Sequence, residues 1–187
     1  MKKFFMAIFA IILTPCMLFL CAGCSLRTNA IVKDINNNTN LEIKLLTRVE
    51  DGLFDENYDI IPGFGIKGYF DKKYGENYME NSDVIDSCVV IYHVTSYPDA
   101  FFGKSHITGI EITDPAITLY GYSVGDSIEG VADFFKEKGY EETYNNGHLF
   151  KFNKGKVQIR IGVNFEEQTI RSLYAGVDTT NCTGVVF

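Results

Sequence analysis

From Glu141 onward the chain is cut into short strand-forming runs by turns of fixed chemistry, and few other features limit its fold so strongly. Glu141 to Tyr144 is followed by Asn145-Asn146-Gly147, His148 to Phe152 by Asn153-Lys154-Gly155, and Val157 to Val163 by an acidic turn at Glu166-Glu167. A last run spans Thr169 to Val177. Asn-Gly and Lys-Gly between short alternating segments signal hairpins, because glycine accepts the positive φ that tight turns between twisted strands need. The C-terminal part therefore reads as an antiparallel meander.

A helix precedes it. In Asp126-Ser127-Ile128-Glu129 the aspartate is placed to accept from a free first-turn amide and Glu129 to reach back, which predicts a capping box. Ile128, Val131, Ala132 and Phe135 recur at helical spacing, Lys136 and Lys138 fall near the end, and Gly139 stops the helix. A short strand is expected at Ile117 to Tyr120 just before it.

The earlier half reads similarly. Leu41, Ile43 and Leu45 alternate with Glu42 and Lys44, predicting a first strand over Leu41 to Thr47. Gly63, Gly65 and Gly68 break up the next stretch, and Tyr69 to Gly75 is expected to form a short helix. Ser87 to Thr95 and His106 to Thr113 are rich in β-branched and aromatic residues, and the turn-forming Ser96 to Lys104 between them predicts a long-tipped hairpin. The fold class expected is α+β: an antiparallel meander sheet with one or two short helices packed on one face. This order allows two tandem helix-plus-sheet units, 41–116 and 117–187.

Tyr120-Gly121-Tyr122-Ser123-Val124-Gly125-Asp126-Ser127, followed by Val131, Phe135 and Gly139, resembles the Gly-Asp-Ser helix start of small exported proteins of the β-lactamase-inhibitor-like and outer-membrane-assembly-lipoprotein group. The resemblance covers about a third of the chain. It implies α+β domains with helices on one face of an antiparallel sheet, often as tandem repeats. It bears on fold, and no inhibitory activity is carried over from it.

The N-terminus speaks to compartment. Met1-Lys2-Lys3 is a positive start, and Phe4 to Leu20 is apolar apart from Thr14, Pro15 and Cys16. The run ends at Leu20-Cys21-Ala22-Gly23-Cys24-Ser25, which resembles a lipobox with its leucine one place early. This predicts a signal peptide at 1–23, diacylglyceryl on Cys24 as a lipid anchor (a palmitate-type membrane anchor), a flexible Asn-rich tether at 24–40, and one domain at 41–187. An uncleaved transmembrane anchor is the alternative, since roughly 20 apolar residues span a bilayer. No basic stop-transfer cluster follows the run, which favours cleavage. Lysine far outnumbers arginine, and Asn, Ile and Tyr are frequent, a composition that resembles exported proteins of Firmicutes.

Removing Lys2 and Lys3 takes the formal charge from -7 to about -9. Such a surface repels phosphates, which speaks against nucleic acid as a partner and makes the lipid, not headgroup attraction, the expected membrane contact. Cys16 and Cys21 leave with the leader, so Cys88 and Cys182 remain. Outside the cell they are either a disulfide, stabilising by about 4 kcal/mol through a loop of roughly 95 residues, or two separate thiols.

Candidate chemistry is sparse. There is no CxxC, HExxH, Gly-x-Ser-x-Gly or P-loop pattern, and no cofactor or metal is implied. With the hairpin tip centred near Asp99, His93 and His106 fall nearly opposite each other, the arrangement a hydrolase or metal site would need; the plain alternative is ordinary strand histidines. Ser123 and Ser127 are explained by turn and cap bonding, and Glu141-Glu142 and Glu166-Glu167 by solvation. Tyr97, Phe101 and Phe102 in the tip serve either as contact anchors or as a cap folded over the core. The expected function is that of a non-enzymatic binding module on the membrane's outer side, contacting a protein or envelope component through its sheet face or this tip.

Overall fold

The computed structural model describes residues 27–50, 53, 58–61, 67–71, 90–96 and 105–178. Cys24, Cys88, Cys182, Tyr97, Phe101 and Phe102 lie outside them. The described residues form helix α1 (27–37), strands β1 (Arg48–Val49), β2 (Tyr58–Ile61), β3 (Lys67–Asp71), β4 (Val90–Ser96) and β5 (Ser105–Ile112), helix α2 (Val131–Glu137), and strands β6 (Glu141–Asn145), β7 (Leu149–Lys154), β8 (Val157–Asn164) and β9 (Thr169–Val177). All strand pairs are antiparallel, in the order β2-β3-β4-β5-β9-β8-β7-β6, with β1 paired to β5. The chain is thus α+β and dominated by its sheet.

The C-terminal meander follows the turn chemistry closely. Gly147 and Gly155 take φ of 82° and 58°, the left-handed values that let β6–β7 and β7–β8 reverse within a few residues. Along β8, Val157, Ile159 and Ile161 are buried while Arg160 is exposed, the period of two that a one-sided sheet requires.

The buried face carries Val90 and Tyr92 of β4, Ile110 and Ile112 of β5, Leu173 and Ala175 of β9, Ile159 and Ile161 of β8, and Phe152 of β7. Both helices contribute to the same core, α1 through Ile31, Val32 and Ile35, α2 through Val131 and Phe135. Phe135 is fully buried, stacks on Phe152 at 5.1 Å and meets Tyr120 and Tyr140 edge-on at 5.7 and 5.6 Å. A buried aromatic of this kind contributes through area and through ring geometry together. Tyr120 donates to Asp34 Oδ2 at 2.8 Å and lies 3.4 Å from the Tyr140 hydroxyl, linking α1 to the segments flanking α2. Burial foremost, then these two partners, raises the Tyr120 hydroxyl pKa far above its ordinary value; burial likewise raises that of Tyr140.

Five expectations are corrected. The tether expected at 24–40 is helix from 27 to 37, because Ile31, Val32 and Ile35 reach the core while the Asn38 side chain donates back to the Asp34 carbonyl at the helix end. Leu41 to Thr47 is not a strand: Leu41, Ile43 and Leu45 are buried alternately, yet the Leu45 backbone bonds at both N–H and C=O with the Asn36 side-chain amide instead of a ladder. Tyr69 to Asp71, placed in a helix, belong to β3. Ile117 to Tyr120 has only isolated bridges at Leu119, to Thr39 and Tyr122. The capping box does not form. Asp126 turns back to accept from Ser123 N–H and Oγ, and the Ser127 hydroxyl accepts from Glu129 N–H. Backbone bonds from Gly125 to Ile170, Ile170 to Asp126 and Ile128 to Gln168 hold this segment against the start of β9, so α2 begins at Val131 behind a left-handed Gly130. Among the described residues no helix is long and apolar enough to cross a membrane.

Candidate functional site

The face of the sheet away from the helices carries the polar residues of the central strands. Reading straight across the register, Tyr144 of β6 is followed by Lys151, Arg160, Tyr174, Glu111 and Ile91 of successive neighbours β7, β8, β9, β5 and β4. Directly opposite residues share a face, so these six form one row. The adjacent row holds Gln158, Gly176, Gly109 and His93.

Tyr174 is the centre. Gly109 and Gly176 face each other across β5 and β9, and the Tyr174 ring lies over both. A Cβ on Gly109 would stand 2.8 Å from the Tyr174 hydroxyl, and one on Gly176 would overlap it. Glycine within a strand weakens the strand, and an aromatic ring laid over it restores cover; here the two glycines provide the flat floor that lets the ring lie down. The Arg160 guanidinium sits 4.4 Å above the same ring, in cation–π geometry, and donates from Nε to Gln158 Oε1. His93 meets the ring edge-on at 5.8 Å, and its Nε2 lies 3.6 Å from Glu111 Oε2. Burial raises the Tyr174 hydroxyl pKa; Arg160 opposes this and the Glu111 charge adds to it. Further along the row, Lys151 Nζ is 5.0 Å above the Tyr144 ring, and Tyr144 is 45% exposed.

Such an arrangement offers flat aromatic surface, fixed cations and one carboxylate on rigid strands. The histidines are placed differently from expectation. His93 is opposite Gly109 and His106 is opposite Thr95, with a bulge between His93 and Val94, so the two do not face one another. His148 meets the Phe165 ring at 5.1 Å with the planes tilted by 41°, beyond β8 and β9 from the other two histidines. Among the described residues no three His, Cys, Asp or Glu side chains converge as a metal would require. Of the paired acids, Glu142 bonds Lys136 at 2.8 Å and Asn145, which together hold its carboxyl below the usual range, while Glu166 and Glu167 are exposed in the β8–β9 turn. Arg160, Tyr174 and Glu111 carry no local motif. Their only signal is the pair of glycines inside strong strand runs, which gains meaning once β5 is known to lie beside β9.

No family model, curated protein or solved structure gives a significant match to the chain.

Proposed function

We propose that this chain is a lipoprotein held on the outer side of a membrane through Cys24, and that its domain is a non-enzymatic binding module acting through the outer sheet face around Arg160 and Tyr174. The observation that carries the reading is the Arg160 guanidinium stacked on a Tyr174 ring that two glycines seat on the strands. Arginine and tyrosine held in place are the residue types that dominate binding energy at protein interfaces, since little conformational freedom is left to lose on contact. Lys151 beside Arg160 favours a partner with acidic groups. Tyr97, Phe101 and Phe102, in the β4–β5 connection, are proposed as a second contact. The reading as a hydrolase or metal centre using His93 and His106 gains no support from a register that sets them apart.

The same reading makes the domain a tandem of two units, 41–116 and 117–187, meeting where β5 pairs with β9. A strand order that runs outward from this pair in both directions supports it.

The test is photo-crosslinking in the producing cells from a reactive residue substituted at Lys151, on the outer face, with one at Glu129, beyond the sheet, as comparison. A discrete crosslinked partner from position 151 and none from 129 is expected. Absence of any product from 151, or the same product from both, would refute the reading.

A further inference from the structure

Lys138, which caps the C-terminal end of α2, turns its ammonium back over two aromatic rings. Its Nζ stands 5.5 Å from the centre of the Tyr120 ring and 5.7 Å from that of Phe134, one helical turn earlier on α2. The two rings are inclined at 62° with centroids 5.8 Å apart, so the charge sits in the corner between them. Tyr122 also meets Phe134 close to perpendicular, at 5.4 Å and 77°. Tyr122 and Phe134 are half-buried and Lys138 is exposed, which leaves the corner open to solvent.

The Tyr120 wall is fixed by its surroundings. Its φ of 55° is uncommon for a bulky residue and persists only where neighbours hold it. Here the Tyr120 N–H donates to the Asn38 carbonyl at 2.6 Å and the hydroxyl donates to Asp34 Oδ2 at 2.8 Å. A phenol that donates to a carboxylate gains negative charge on its ring, and the face it offers a cation is strengthened. A primary ammonium makes limited use of that face, because its three N–H donors are strongly hydrated and the rings do not satisfy them. A quaternary ammonium carries the same charge, has no donor to leave unpaired, and covers the charge with methyl groups that gain by leaving water for apolar rings.

We propose that Tyr120, Tyr122 and Phe134 form a site for a small quaternary ammonium ion, with Lys138 as a tethered occupant that the ligand displaces. The site belongs to the helix side of the sheet and stands apart from the outer face around Arg160 and Tyr174. On α2, Asp133 and Glu137 favour a cation and Lys136 is paired with Glu142; Lys154, bonded through Nζ to the Lys138 carbonyl, is the base that opposes one. The formal charge of -7 favours a free cation over a quaternary group carried on a phosphodiester, whose own negative charge the protein repels.

The full chain is purified in a detergent free of quaternary groups, and NMR saturation transfer from its aromatic protons to ligand methyl protons is measured for choline, ethylammonium and glycerophosphocholine. Choline is expected to receive several-fold more than either of the others. Lys138→Gln is expected to raise the choline signal several-fold by emptying the corner, and Phe134→Leu and Tyr122→Leu, made in parallel and each checked for the parent's unfolding midpoint, to lower it several-fold. No transfer to choline in both the parent and Lys138→Gln would overturn the site, as would full transfer in a folded Phe134→Leu or Tyr122→Leu. Equal transfer to ethylammonium would overturn the preference for a quaternary ion, and glycerophosphocholine ahead of choline would overturn the free cation as ligand. A signal unchanged in Lys138→Gln would overturn the displacement of the lysine.

Discussion

The two faces of the sheet are built from alternate residues of the same strands, yet they differ in kind. In β8, Val157, Ile159 and Ile161 enter the core while Gln158 and Arg160 stand on the other side; in β9, Leu173 and Ala175 are buried while Tyr174 and Gly176 make the outer row. The inner face gains about 1.5–3 kcal/mol for each fully buried aliphatic or aromatic side chain. The outer face holds its groups by cation–π and edge contacts of about 0.5–1 kcal/mol each at an exposed site. Residues that hold the fold together and residues that present a surface are thus separated by one position along the chain, and substitutions distinguish them.

The largest effect is expected inside. Phe135→Ala removes a fully buried ring stacked on Phe152 and costs about 3–5 kcal/mol in urea denaturation. Gly176→Ala tests the outer floor: the added methyl meets the Tyr174 hydroxyl and costs about 1–3 kcal/mol. Most of that cost is expected to vanish in a Tyr174→Ala background, a coupling that a double-mutant cycle measures; an unchanged cost would show that the ring is not seated on this glycine. Tyr120→Phe removes the donor to Asp34 and costs about 1–2 kcal/mol. The hydroxyls of Tyr120, Tyr140 and Tyr174 all have raised pKa values in the fold, so the native state holds protons that the unfolded chain releases. Their contribution is full below about pH 10 and is lost as pH rises beyond it, and Tyr120→Phe makes that alkaline loss shallower in thermal melts. The smallest change in stability is expected at Arg160→Ala, about 0.5–1 kcal/mol, the worth of its contact with the Tyr174 ring.

What the sequence made legible follows the same division between local and distant causes. Strands β6 to β9 were readable because each turn carries its own glycine and each run its own alternation. Leu41 to Leu45 showed the right residues buried but the wrong backbone, since the partner of Leu45 is the Asn36 side chain and not a strand. Helix α1 was hidden by Asn36, Asn37 and Asn38, whose polarity suggested a tether; Ile31, Val32 and Ile35, one and four apart, were the overlooked signal. The box at Asp126 had the correct residue types, but pairing with the start of β9 outweighs a cap. Histidine placement failed because the β4–β5 register is centred one residue beyond the tip expected near Asp99, so that His106 already pairs with Thr95 on the tip side of the bulge. The outer site was invisible in any window, because Gly109 and Gly176 are brought together only by the β5–β9 pairing.

The most direct test combines folding and contact in one variant. Arg160→Glu, carrying the photo-reactive residue at position 151, is compared with its parent for unfolding midpoint and for crosslink yield in cells. A stability within about 1 kcal/mol of the parent's together with loss of the crosslinked partner is the expected result. A crosslink retained at full yield in that folded variant would contradict a binding role for the outer face.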